Sequence, residues 1–312
     1  MQTANDNKQR RILLAMLMLA AARPSAFAQT LRERRARQNG QDALDDDDQD
    51  AIDAGTAFAG VQVIRDVAYG RDNAQRFDVY LPRDGIRNAP VIMMAHGGGW
   101  YRGDKAMRAV VANKVTHWVP RGYVFISTNY RMLPQAAPVE QANDIVRALI
   151  AAQGNAASWG ADPSRFILMG HSAGAHLVAL VSAAPNAALR EGARSWLGSI
   201  LLDSASLDVV QTMEGPHLPL HDRAFGNDPA AWRHASPYHH LTRGAPPMLA
   251  VASTERRNAV LQARHFAGKA TSLGIRAQVL EQALTHREIN AQLGTPGSYT
   301  AAVDAFISSL FT

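Results

Sequence analysis

The chain has 312 residues, enough for one large domain or two ordinary ones, and 47% hydrophobic residues allow a sizeable core. It carries a formal net charge of +5 and no cysteine, which excludes disulfides, thiolate nucleophiles and cysteine metal sites. The basic excess sits in the first 28 residues, so the remainder is close to neutral (about +2) and presents no nucleic-acid-binding signature.

Residues 1–28 read as a cleavable secretory signal. Lys8, Arg10 and Arg11 give a basic start, "ILLAMLMLAAA" an apolar run, and Ala26 and Ala28 an A-x-A cleavage site. The apolar run is shorter than the roughly 20 residues that cross a bilayer. A secreted or periplasmic protein with no membrane span after processing is therefore expected. Residues 29–58 form a charged lead-in: "LRERRARQNG" is basic and "DALDDDDQD" acidic, a pattern that solvates rather than packs. The aspartate run lacks the spaced ligands and turn glycine of a calcium loop.

From residue 59 to 312 strands and helices alternate. "VQVIRD" and "QRFDVYLP" alternate apolar and polar residues, as a hairpin at a sheet edge would. "APVIMMAH" and "YVFISTNY" are continuous apolar strands with a helix over 106–119 between them. A long helix follows from Val139, then the strand "RFILMG" and a helix from Ser172. "SILLD", "PPMLAVAS", a helix over 258–273, "RAQVLE" and a helix over 299–310 complete the chain. This order predicts an α/β fold: a mostly parallel, twisted sheet of about eight strands with helices on both faces. The aperiodic stretch 204–245 predicts a short lid-like segment of loops and small helices over the carboxyl edge of the sheet.

Two motifs carry chemistry. "GHSAG" (170–174) joins a strand to a helix in the form of a nucleophile elbow. Glycines at 170 and 174 relieve crowding in the turn, so that Ser172 projects its hydroxyl from the sheet. "HGGGW" (96–100) follows a buried strand and supplies backbone N–H groups for a developing oxyanion. Gly98, Gly99 and Ala173 are the expected donors, with Gly97 shaping the loop. It is no phosphate loop, because Asp104 stands where the lysine should be. Trp100 and Tyr101, next along the chain, are candidate substrate contacts.

With "NYRMLP", these motifs resemble the alpha/beta-hydrolase serine esterases of the hormone-sensitive-lipase-like group. They resemble still more the bacterial feruloyl-esterase-like carboxylesterases, a branch that includes the kynurenine formamidases; "FDVYLPRDG" and "WGADPSRFILMGHSAGAH" fit it well. The resemblance covers roughly residues 60–312 and implies hydrolysis of carboxylic esters by a Ser-His-acid triad without cofactor or metal. The base then follows the last strand, where His286 stands. The acid expected after "PPMLAVA" is missing as an aspartate. Glu255, seven residues before Gln262, is the first choice, with Asp203 after "SILLD" and the neutral Asn258 as alternatives. The expected partner is a small-molecule ester, with an aryl formamide, a polyester or a feruloyl ester as variants. A hydrolase-like binding protein without catalysis is the reading from a different class. Oligomeric state is open.

Overall fold

A computed structural model describes residues 58–312. The expected signal, the charged lead-in apart from Phe58, and its acidic stretch lie outside the described residues. Eight strands form one sheet in the order β1-β2-β4-β3-β5-β6-β7-β8. They are β1 (Val61–Ala68), β2 (Arg76–Pro82), β3 (Ala89–Ala95), β4 (Val124–Thr128), β5 (Ala161–His171), β6 (Gly198–Leu202), β7 (Met248–Ser253) and β8 (Ala277–Gln282). β1 pairs with β2, and β2 with β4, antiparallel; every other pairing is parallel. This is the alpha/beta-hydrolase architecture that the motifs imply.

The buried strands read as apolar without alternation because helices cover both faces. Along β3, Val91 and Met93 join one core, and Ile92 and Met94 the other. The helix α1 (Arg108–Trp118) packs on the second face through Val111, Val115 and Trp118. On the first lie α2 (Pro138–Asn155), through Ile145 and Leu149, and α3 (Ala173–Ala183), through Leu177 and Val178. A short α4 (Pro185–Arg190) follows.

The stretch 204–245 forms four short helices, α5 (Val209–Glu214), α6 (Pro219–Phe225), α7 (Pro229–His234) and α8 (Pro237–His240), as its lack of periodicity suggests. Then come α9 (Arg257–Ser272), α10 (His286–Ala291) and α11 (Ser298–Ser308).

Two elements differ from expectation. β5 starts at Ala161 rather than at 165, because Ala161 pairs with Ala89 before the register shifts and the core run begins. The six-residue α10 is too short to show helical periodicity. A capping box makes it: Glu288 N–H donates to Thr285 Oγ1 at 3.2 Å, and Thr285 N–H to Glu288 Oε2 at 2.9 Å.

The register aligns the carboxyl ends of the central strands. Ala95 faces Gly170, Gly170 faces Leu201, and Leu202 faces Val251. The residues just past these ends (His96, Ser172, Asp203) therefore emerge at one edge, where ligands bind in open α/β sheets.

Candidate active site

Ser172 sits between β5 and α3 with φ 53° and ψ −115°, a strained conformation for a residue with a side chain. Its N–H is held by Leu202 O at 2.8 Å, which fixes the elbow to the end of β6. The turn closes only with glycine on both sides. A Cβ on Gly170 would strike the carbonyl of Gly174, and one on Gly174 the carbonyls of Ala95 and His96.

His286 is the first residue of α10 and is almost fully buried. Its Nδ1–H donates to Asp203 Oδ2 at 2.7 Å. That choice of proton leaves Nε2 with its lone pair, as a base requires. α10 is tied to α1 by Lys114, whose buried ammonium donates to Asn290 O at 2.6 Å and Asn290 Oδ1 at 2.9 Å. Burial pulls the Lys114 pKa down to about 7. Asn113 Nδ2 adds a bond to Ala291 O at 2.6 Å. The buried His171 ring lies 4.5 Å from that of His286, and burial keeps it neutral.

Asp203, at the end of β6, is completely enclosed. Burial alone would raise its pKa. The Arg256 charge, the His286 hydrogen bond and the Ser253 N–H outweigh that and hold the carboxyl well below the usual range. This corrects the first expectation for the acid. Glu255 is exposed, because Arg256 N–H to Ser253 O and Glu255 N–H to Ser253 Oγ close a turn that leaves its side chain at the surface. Asn258 is exposed as well.

Ser172 and His286 line one pocket, open to solvent, together with Gly99, Ala173, Trp100, Leu218, Leu220, His221, Ser204, Ser206 and Arg256. Ala173 opens α3, so its N–H is among those that find no acceptor within the helix, at the positive end of the helix dipole. Of the expected donors, Gly99 and Ala173 reach the pocket wall. Gly98 is not among the residues that line it; its carbonyl accepts from the N–H groups of Tyr101 and Arg102.

The two candidate aromatics part company. Trp100 is a buried wall: its Nε1–H donates to His176 Nδ1 at 3.2 Å, and its ring meets the edges of His221 and Phe225. Tyr101, in contrast to the expectation, is outside the pocket lining and lies under the Arg223 guanidinium at 4.2 Å. The "NYRMLP" segment supports this wall. Leu133 N–H and Gln141 Nε2 both bond Trp100 O, Tyr130 Oη bonds His96 O, and Arg131 pairs with the buried Asp144.

His176 and His221 are neutral here. Burial lowers each to about 4, and their carbonyl partners Ala235 and Leu218 offset little of it. As pH falls below about 6.5 the unfolded chain takes up protons that the folded chain refuses, so stability is lost between 6.5 and 4. Each residue accounts for roughly 3 kcal/mol of that loss. The melting temperature is expected to fall steadily from pH 7 to pH 4; a flat profile would contradict the neutral wall.

Among the described residues no group of three or more His, Asp or Glu could hold a metal ion, and no helix is long and apolar enough to cross a membrane.

Known proteins share this framework. A carbohydrate esterase from gut microbiota superposes with a TM-score of 0.70 at 18% identity, covering 82% of this chain and 99% of that one. A bacterial heroin esterase superposes with a TM-score of 0.66 at 19% identity, covering 96% and 95%. Esterase LipC of Mycobacterium tuberculosis is 28% identical over 219 residues, 65% of this chain and 53% of that protein. A probable isoprenylcysteine alpha-carbonyl methylesterase of Oryza sativa subsp. japonica is 34% identical over 122 residues, 39% and 29%. The chain thus spans well under two thirds of the length of these curated relatives. The BD-FAE family matches residues 77–262, from β2 through the elbow into α9. With the strand order and the "GHSAG" turn inside that span, the chain belongs to the BD-FAE family.

Proposed function

We propose that the protein is a serine carboxylesterase that hydrolyses esters of small acyl or aryl groups through an acyl-enzyme. The observation that carries this is the 2.7 Å bond between His286 Nδ1 and the buried Asp203, in a pocket that also holds the strained Ser172. In this reading Ser172 Oγ attacks the ester carbonyl carbon while its proton passes to His286 Nε2. The tetrahedral oxyanion faces the N–H groups of Gly99 and Ala173. The carbon–alkoxide bond then breaks, and His286 returns the proton to the departing alcohol. Water attacks the acyl carbon, giving a proton to His286; the acid leaves as Oγ recovers that proton. The carbohydrate, heroin and LipC esterases named above support the reading.

Assay with p-nitrophenyl acetate is expected to release a burst of p-nitrophenol and then a steady rate. Ser172→Ala should lose the burst and roughly 10⁴-fold or more of kcat/KM. Activity that survives in Ser172→Ala would refute the mechanism. An aryl formamidase would instead turn over N-formylkynurenine faster than simple esters.

The basic start, apolar run and A-x-A site of residues 1–28 support export to the periplasm or the medium. Amino-terminal sequencing of the exported protein should then read from Gln29.

A further inference from the structure

The wall of the pocket holds one permanent positive charge, Arg256, and no carboxylate lines it. Arg256 Nη1 donates to Asp203 Oδ2 at 2.6 Å and to Asp203 O at 3.0 Å. Those two bonds use both of its hydrogens. The 2.6 Å approach of the same atom to His286 Nδ1 is therefore a contact between two donors that share one carboxylate oxygen.

Two consequences follow. The guanidinium keeps its Nε–H and both Nη2–H groups, and among the described residues none of these meets an acceptor. Its side chain is 22% exposed while Asp203 is wholly covered. The same arrangement puts a fixed cation beside the imidazole, with the Asp203 carboxylate shared between them. Arg256 pairs with Asp203 through Nη1 alone, so the Nε and Nη2 edge of the guanidinium remains for another anion. A cation so placed is explained if it binds part of the substrate.

We propose that Arg256 selects esters that also carry a carboxylate, whose two oxygens accept from Nε–H and Nη2–H as a bidentate pair. The hydroxyls of Ser204 and Ser206 stand on the same wall. The neutral state of His221, also on that wall, leaves Arg256 as the group that discriminates. This proposal rests on the esterase reading and names its substrate class.

The test uses the full chain and two matched pairs. p-Nitrophenyl hemiglutarate against p-nitrophenyl valerate places the anion on the acyl side. 4-Acetoxybenzoate against 4-acetoxybenzamide places it on the leaving group. In at least one pair kcat/KM should favour the anionic ester by about tenfold or more. Arg256→Gln should collapse that ratio, and Arg256→Lys should keep part of it. Because each ratio is taken within one protein, changes in the triad that affect both esters cancel. No preference in either pair, or a ratio that survives Arg256→Gln, overturns the proposal and leaves the esterase reading standing. No turnover of any of the four esters removes both. Should Arg256→Gln fail to fold or to act, inhibition of the unaltered protein decides: glutarate must inhibit better than glutaramide, and equal inhibition refutes the proposal.

Discussion

Asp203→Asn is expected to lower kcat by about 10⁴-fold, whereas Glu255→Gln should leave it within about twofold. The reason is the company each carboxylate keeps. Asp203 holds the Nδ1 proton of His286 and so leaves the lone pair of Nε2 free in the pocket that Ser172 also lines. Asparagine removes the charge that stabilises the imidazolium, permits the opposite tautomer and leaves Arg256 without its anion. Glu255 is exposed on a turn and contributes no such contact. Steady-state kinetics on both variants, with thermal melts to show that each is folded, make the comparison. A large loss in Glu255→Gln with little in Asp203→Asn would reverse the assignment.

The second large effect is on stability. Gly174→Ala is expected to cost on the order of 3 kcal/mol or more, because the new methyl meets the carbonyls of Ala95 and His96, which belong to the backbone of the central strand and its loop. A drop in melting temperature of roughly 6–12 °C would follow in a domain of this size. Gly154→Ala is the contrast. It lies near the end of α2 with nothing within 4 Å of its added carbon, and should stabilise by up to about 1 kcal/mol. Scanning calorimetry on the two variants reads both signs. A neutral Gly174→Ala would mean that the elbow can open without strain.

Much of this arrangement is legible in the residues. "GHSAG" and "HGGGW" are local devices: their glycines and small residues answer to close backbone approach, so Ser172, Gly99 and Ala173 can be read directly. His286 follows from chain order. The carboxylate does not, since which acid reaches the imidazole depends on how β6 and β7 lie side by side. One clue was available. Asp203 directly follows the apolar run 200–202, where a carboxylate must be paired, while Glu255 stands among arginines in a polar turn. The "THRE" capping box likewise signals the short helix that carries His286. The fates of Trp100 and Tyr101 differ for a reason no spacing carries. The first is clasped by the 130–141 segment from a distant part of the chain.

With Asp203 at the end of β6 and Arg256 on the turn after β7, two neighbouring strand ends meet at the carboxylate that faces His286. The carboxylate itself stands outside the 254–258 turn, so an exchange within that turn leaves it in place. Arg256 is the residue of that turn that reaches both the carboxylate and the pocket, so a single exchange there bears on proton transfer and on the choice of guest together.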